Sequence, residues 1–264
     1  MSTGRISKKT SENMWEIYDS LIAAVPSELR VTDCLVGISW ILVRSEATGM
    51  ALTMQNGMGP VKNCGYLVGM KVRDLAEYVK SWNSLEAGIG LAAINSAFNT
   101  IENVECYSGC KLEKHSQGNA FETYYPELKG KKVSVIGHFP KLEKLRDWCS
   151  LTILERCPQQ GDLPDPACEY VLPDQDYVFI TAATLINKTL PRLLELSKKA
   201  KVILVGPSTP LHPLLFSMGI EGLAGSVLQN EVLWRYVREG GLGPGIFKQG
   251  CQMVRIDKED RDGR

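Results

Sequence analysis

KVSVIGHFP, Lys132 to Pro140, is the stretch on which the fold turns. Val133, Val135 and Ile136 make a short apolar strand, Gly137 ends it, and Pro140 opens a helix expected over Lys141 to Trp148. The pattern repeats downstream. Leu151 to Leu154, Tyr177 to Thr181 and Val202 to Val205 read as strands, while Leu190 to Lys199 and Leu211 to Met218 read as helices. Continuous apolar strands separated by helices mark a parallel sheet covered on both faces. The expected class is α/β, with a Rossmann-like, doubly wound parallel-sheet domain over residues 131–256.

Upstream the periodicity is different. Met14, Ile17, Leu21 and Ile22 recur at helical spacing between Ser11, a candidate N-cap, and Pro26. Val31 to Arg44 is β-branched and apolar with a break at Gly37, read as a strand, or a strand with a turn or bulge. Gly49 to Met54 follows as a second strand, giving a hairpin. Val72 to Asn99 is helical in two pieces parted around Trp82 to Ser84. The second piece carries Ala87, Gly88, Gly90, Ala92, Ala93 and Ala97, small side chains that let a helix approach its neighbour closely, so burial is expected. Helix, strands and two helices make a small α+β unit. With the polar, turn-rich linker Glu105 to Gly130 it spans residues 11–130, and residues 1–10 and 257–264 are polar tails.

Hydrophobic residues make up 44% and charged residues 23%, the balance of an ordinary globular chain. Lys+Arg and Asp+Glu are both 30, which argues against a nucleic-acid coat or a polybasic membrane anchor. The longest apolar run, Cys34 to Val43, is far short of the about 20 residues that a bilayer span needs, and no apolar h-region follows the basic first residues. A cytoplasmic location is expected. The eight cysteines are scattered and read as reduced thiols; Cys106, Cys110 and His115 lack a tight Cys pair and a fourth ligand, so no metal site is expected there.

Ligands of open parallel sheets bind beyond the carboxyl ends of the strands, at the switch point of the winding. The residues leaving the strands at that edge are Gly137, His138 and Phe139, then Glu155, then Thr181, Thr184 and Asn187, then Gly206, Pro207, Ser208 and Thr209. The sequence Gly-His-Phe-Pro lacks the G-x-G-x-x-G fingerprint, so NAD binding of that kind is not expected. Glu155 follows Gly137 by eighteen residues, near the spacing at which an acidic side chain accepts from a ribose; the alternative is a surface carboxylate at a strand end. Ser208 and Thr209 before Pro210 are either helix caps or an anion site, and Asn187 before Thr189 faces the same choice. His138 is the best placed of the three histidines for acid–base work, with Glu155 as the second catalytic candidate. Arg44 and Glu46, at the turn of the hairpin, join the ligand-binding set only if that end faces the cleft.

Gly137-His138-Phe139-Pro140, Thr181 to Thr189 and Gly206 to Pro210, with Gly49 to Thr53 and Gly88 to Asn95, resemble a bacterial and archaeal family labelled heavy-metal chelation, over most of residues 11 to 255. The resemblance implies an enolase-N-terminal-like domain followed by a Rossmann-like domain, with a pocket between them. It also implies condensation or hydrolysis linked to chelator, pterin or flavin-like metabolism. A methyltransferase-like version would use Glu155 for the ribose of S-adenosylmethionine, although the glycine-rich first loop is missing. The competing reading is a metabolite or metal-chelate binding module without turnover, favoured by the absence of a G-x-S-x-G motif. The partner expected is a small anionic or nucleoside-like molecule or a metal chelate, with a homo-oligomer left open and with no nucleic acid or membrane.

The scattered cysteines generate one direct expectation. Protein purified without affinity metal should carry less than stoichiometric zinc, iron or nickel, and its fold should survive a strong chelator. Stoichiometric metal lost together with structure would contradict this, because structural metal binding is part of the folding free energy.

Overall fold

The computed structural model describes residues 14–54, 59–115, 120–229 and 231–259. The candidate cap Ser11 lies outside the described residues. Helix α1 spans Glu16–Ala24 and buries Ile17, Tyr18, Leu21 and Ile22. Three strands follow as an antiparallel meander, β1 Asp33–Val36, β2 Trp40–Arg44 and β3 Thr48–Leu52. The expected hairpin has three strands because Val31 to Arg44 folds back on itself at Gly37, whose N–H donates to Trp40 O at 2.9 Å. A Cβ on Gly37 would stand 2.5 Å from Val237 Cγ1, so the turn fits only against glycine.

Helix α2, Val72–Ala76, runs into a 3-10 turn, Glu77–Lys80, and α3 follows over Ser84–Phe98, capped by the Asn83 side chain on Leu85 N. Nearly all of α3 is buried, as its small residues predict. The glycines set how closely it packs. A Cβ on Gly49 of β3 would lie 2.0 Å from Ala92 O, and one on Gly90 would lie 2.1 Å from Val79 N. Strand and 3-10 turn therefore rest directly on the α3 backbone. Helix α4, Ile101–Ser108, completes this unit.

The second sheet comprises β4 Lys132–Ile136, β5 Ser150–Glu155, β6 Leu163–Pro164, β7 Tyr177–Thr181, β8 Lys201–Val205, β9 Gly222–Leu228 and β10 Cys251–Asp257. Their order is β10-β9-β8-β7-β4-β5-β6, parallel throughout except for β10 against β9. The winding reverses between β4 and β7, which makes their carboxyl ends the switch point. Both expected helices flanking it are tighter than foreseen: Leu142–Asp147 and Pro213–Met218 are 3-10 turns, the first entered through Lys141 at φ 67°. The α-helical crossovers nearest the cleft are α5 Ala183–Ile186 and α6 Leu190–Leu196, and α7 spans Val232–Arg238.

Three apolar clusters hold these layers. One runs without a break from Ile17, Ile41 and Ile89 to Ile180, Leu204 and Leu223, so the two units share a core. Phe121, Tyr124 and Leu128, from the linker, pack with Val133 and Phe179 on the other face of the large sheet. A third joins Trp40, Leu42 and Met50 to Trp234 and Val237. Across the shared boundary α3 grips the loop after β8. Asn95 Nδ2 donates to Met50 O and Ser208 O at 2.9 Å each. Asn99 Nδ2 donates to Thr209 O and Ser226 O at 3.0 and 3.1 Å, and its Oδ1 accepts from Leu211 N at 2.9 Å. No helix among the described residues is long and apolar enough to cross a membrane.

Asn99→Ala would leave two carbonyls and one N–H buried without partners. A loss of about 2–5 kcal/mol is expected, at about 1–3 kcal/mol for each abandoned group with some relaxation. In a chain of this size each kcal/mol lowers the melting temperature by roughly 2–4 °C, so a fall of about 5–15 °C should appear in a thermal scan. A change under about 2 °C would mean that the contact carries little of the fold's stability.

Candidate functional site

The carboxyl ends of β4, β5, β7 and β8 and the inner end of the meander enclose a cleft of about 350 Å³. Gly137, His138, Phe139, Glu155, Thr181, Thr184, Asn187, Gly206, Pro207 and Ser208 all line it. Trp40, Leu52 and Met54 close it from the small unit, and Gly243 and Phe247 from the segment before β10. Gly137 and Gly206 leave their strands at φ 102° and 106°, in the left-handed region that favours glycine. The Phe139 ring fills the space beside them: Cβ atoms at Gly137 and Gly206 would approach it to 3.4 and 3.6 Å. The Phe121 edge supports that ring from behind, with centroids 5.2 Å apart.

Three of the expected residues sit elsewhere. Thr209 is fully buried, and its hydroxyl donates to Gly206 O at 2.8 Å, closing the loop on itself. Arg44 lies 4.5 Å over the Trp234 ring and pairs with Glu231 at 2.7 Å. Glu46 stays at the tip of the turn and is not among the cleft's lining residues. The cause is strand geometry. Trp40 is the cleft end of β2, and four residues at about 3.3 Å each carry Arg44 about 13 Å away from it.

Glu155 is occupied by backbone. Its Oε2 accepts from His138 N at 2.9 Å, and its Oε1 from Arg156 N at 2.7 Å and Cys157 N at 3.3 Å. The carboxylate thus ties the turn after β4 to the turn after β5. Ser208 caps no helix, because the 3-10 turn starts only at Pro213 and is capped by the His212 ring. Its hydroxyl instead accepts from Leu52 N at 2.9 Å, across the boundary between the units. Asn187 Oδ1 takes Thr189 N and Thr189 Oγ1 at 3.1 and 2.6 Å, and the Thr184 hydroxyl donates to Thr181 O at 2.6 Å.

The residue that sequence reasoning missed is Asp162. Its Oδ2 stands 2.9 Å from His138 Nδ1, and the side chain is 2% exposed. The same oxygen accepts from Gln159 N at 3.0 Å. A carboxylate oxygen is an acceptor, so Nδ1 carries the proton and Nε2 of the neutral ring is the lone-pair nitrogen. The pairing unites residues from the turns after β4 and β5, and only Gly161 before Asp162 hinted at an ordered turn.

Lys188 follows the cleft residue Asn187 at φ 67°, with its ammonium donating to Ile186 O at 2.7 Å. Burial pulls its pKa down from 10.5 to about 8. The eight cysteines are free. Burial pushes Cys34 and Cys149 up to about 11 and Cys168 and Cys251 up to about 12, which keeps them as thiols. Cys110 Sγ meets His115 Nε2 at 3.4 Å, but among the described residues no three His, Cys, Asp or Glu side chains converge as metal ligands would.

A family model described as "Putative heavy-metal chelation" (DUF364) matches residues 119–256, and a second model of the same description (DUF4213) matches residues 18–98. An uncharacterized protein of Methanocaldococcus jannaschii is 29% identical over 219 residues, covering 78% of this chain and 81% of its own. A DUF364 protein of unknown function from Desulfitobacterium hafniense has a crystal structure 38% identical in sequence. It covers 94% of this chain and 99% of its own, with a TM-score of 0.82. A second, from Pyrococcus horikoshii, is 20% identical with a TM-score of 0.73 over 93% of this chain and 99% of its own, and shows the likeness of fold alone.

Lys188 provides a pH signature. Its folded value of about 8 lies below the ordinary 10.5, so the folded chain gives up this proton first. The destabilisation is complete below about pH 8 and is relieved as pH rises toward 10.5. Lys188→Met should therefore be more stable than the parent at pH 7, with the gap closing as pH rises. Denaturant unfolding at a series of pH values reads this directly, and a gap that widens with pH would rule out burial of the charge.

Proposed function

The chain belongs to the DUF364 family, and on that premise we propose that its cleft binds a small, flat, polar organic molecule and processes it by general acid–base chemistry with His138 as the proton carrier. The observation that carries this reading is His138, a lining residue of the cleft, paired through Nδ1 with Asp162. Asp162 fixes the ring orientation and the tautomer and stabilises the imidazolium that forms when Nε2 takes a proton. A condensation or hydrolysis needs that sequence: Nε2 accepts a proton from the attacking hydroxyl, amine or water, then returns it to the leaving group. Glu155 supports the chemistry as a positioning residue, because it holds the His138 N–H and so the turn that carries the ring.

The same features weigh against a nucleoside cofactor. Three backbone N–H groups already occupy the Glu155 carboxylate. The turn after β4 leads into a 3-10 segment rather than a helix whose N-terminus could hold a phosphate. A resident metal ion does not fit the described residues either, since they offer no converging three-ligand set. On this reading the family's chelation label is met by an organic chelator in the cleft, as ligand or product.

Two measurements test the proposal. In ¹⁵N NMR, the neutral His138 ring should show a protonated Nδ1 and a bare Nε2, and Asp162→Asn should shift that balance. Metabolite-mixture incubations followed by mass spectrometry should then show a consumption that falls about 10²–10⁴-fold in His138→Gln. Turnover that survives both substitutions, or a protonated Nε2 in the resting protein, would remove His138 from the mechanism.

A further inference from the structure

The polar groups of the cleft are unevenly used. Its carboxylate and amide oxygens are engaged: Glu155 receives three N–H bonds, Asn187 Oδ1 receives two bonds from Thr189, and Asp165 is paired with Arg156 at 3.4 Å, which leaves His138 Nε2 as an open acceptor. Its donors are not. The Ser208 hydroxyl accepts from Leu52 N and the Thr181 hydroxyl accepts from Ala183 N at 3.4 Å, which leaves each hydroxyl proton for another acceptor. Asn187, with its oxygen engaged, has its Nδ2 amide to offer. These three side chains line one cleft with Phe139, Trp40 and Phe247, and a Cβ at Gly206 would lie 4.0 Å from Thr181 Oγ1.

We propose that the cleft recognises a ring carboxylate: an aromatic or heteroaromatic ring lying among the aromatic side chains, with its carboxylate held by Thr181, Asn187 and Ser208. The inference rests on the cleft reading given above and names the ligand's chemical class. Each part follows from the residues present. A diol brings two donors to a cleft whose carboxylate and amide oxygens are engaged and whose open acceptor is His138 Nε2, whereas a carboxylate brings only acceptors to the donors of Thr181, Asn187 and Ser208. Hydrogen bonds to an ionised oxygen are also the stronger kind. A volume of about 350 Å³ suits one or two fused rings.

The test uses the full chain and three probes: 2-naphthoate, 2-naphthylmethanol, which keeps the ring and replaces the carboxylate by an alcohol, and adenosine. Titration calorimetry should give naphthoate a dissociation constant at least about tenfold below that of naphthylmethanol, and no binding of adenosine. Thr181→Val removes one donor and keeps the shape, and should weaken naphthoate by about tenfold. Asn187→Asp keeps the oxygen that Thr189 uses and sets a charge against the carboxylate, so a loss of about 100-fold or more is expected. Thermal scans confirm that each variant is folded. Equal affinity for the naphthyl pair, naphthoate binding untouched by either substitution, or no naphthoate binding at all would overturn the carboxylate class. Adenosine binding that is lost in Glu155→Gln would overturn it too, while leaving the cleft as the site. Failure of the cleft reading itself would show separately, in the His138 tautomer.

Discussion

Asn95 in the last turn of α3 and Asn99 at its C-cap take, with their side-chain amides, four carbonyls and one N–H from β3, β9 and the loop after β8. Both residues are buried, at 0% and 2% exposure, so none of these groups could turn to water instead. The orientation of the Asn95 amide follows from its neighbours: with carbonyls at both of its bonded partners, nitrogen must face them. Its Oδ1 is left buried and unpartnered. That orphan marks how strongly the other contacts determine the arrangement. The loop carrying Gly206, Pro207 and Ser208 is thereby fixed relative to the meander, and the Leu52 N–H to Ser208 contact ties the two walls of the cleft together.

Several features that look unrelated follow from this docking. Gly49 must be glycine for β3 to lie on α3, and a Cβ at Gly225 of β9 would lie 2.8 Å from Thr209 O, inside the space that the gripped loop occupies. Ser226 donates back to Pro207 O at 2.8 Å, so β9 also supports the loop from its own side. On the opposite wall the Glu155 carboxylate gathers the turns after β4 and β5, and the His138–Asp162 contact spans the same two turns. The cleft therefore has two walls, each organised by buried or occupied polar side chains, and the groups left without a partner bond are the hydroxyl protons of Thr181 and Ser208, the Asn187 amide and His138 Nε2.

Much of this was legible in the sequence, for a physical reason in each case. Strands buried on both faces must be continuously apolar, and β4, β5, β7 and β8 could be read from that alone. The strand-end residues could be read from the switch-point rule, which needs only strand direction. Strand β9 was not legible, because Gly222 and Gly225 give it the composition of a loop; a Cβ at Gly222 would stand 2.5 Å from the Tyr124 hydroxyl. The tightening of two expected helices into 3-10 turns leaves the apolar spacing nearly unchanged, so periodicity could not distinguish them. Asp162 was invisible for another reason: its importance lies in a partner twenty-four residues away, and a turn aspartate has an ordinary explanation. Glu155 was recognised by position, but its backbone partners depend on how two turns approach in space.

The docking of the two units is what makes the cleft a preformed site rather than a gap between independent bodies. Amide hydrogen exchange at Leu52 and Leu211 tests this most directly, since their N–H groups donate to Ser208 Oγ and Asn99 Oδ1 across the boundary. Both should exchange only through global unfolding, with opening free energies matching the best protected amides of β7. Rapid exchange at these two positions while β7 stays protected would show that the units part locally, and that the cleft is not held by the asparagine contacts.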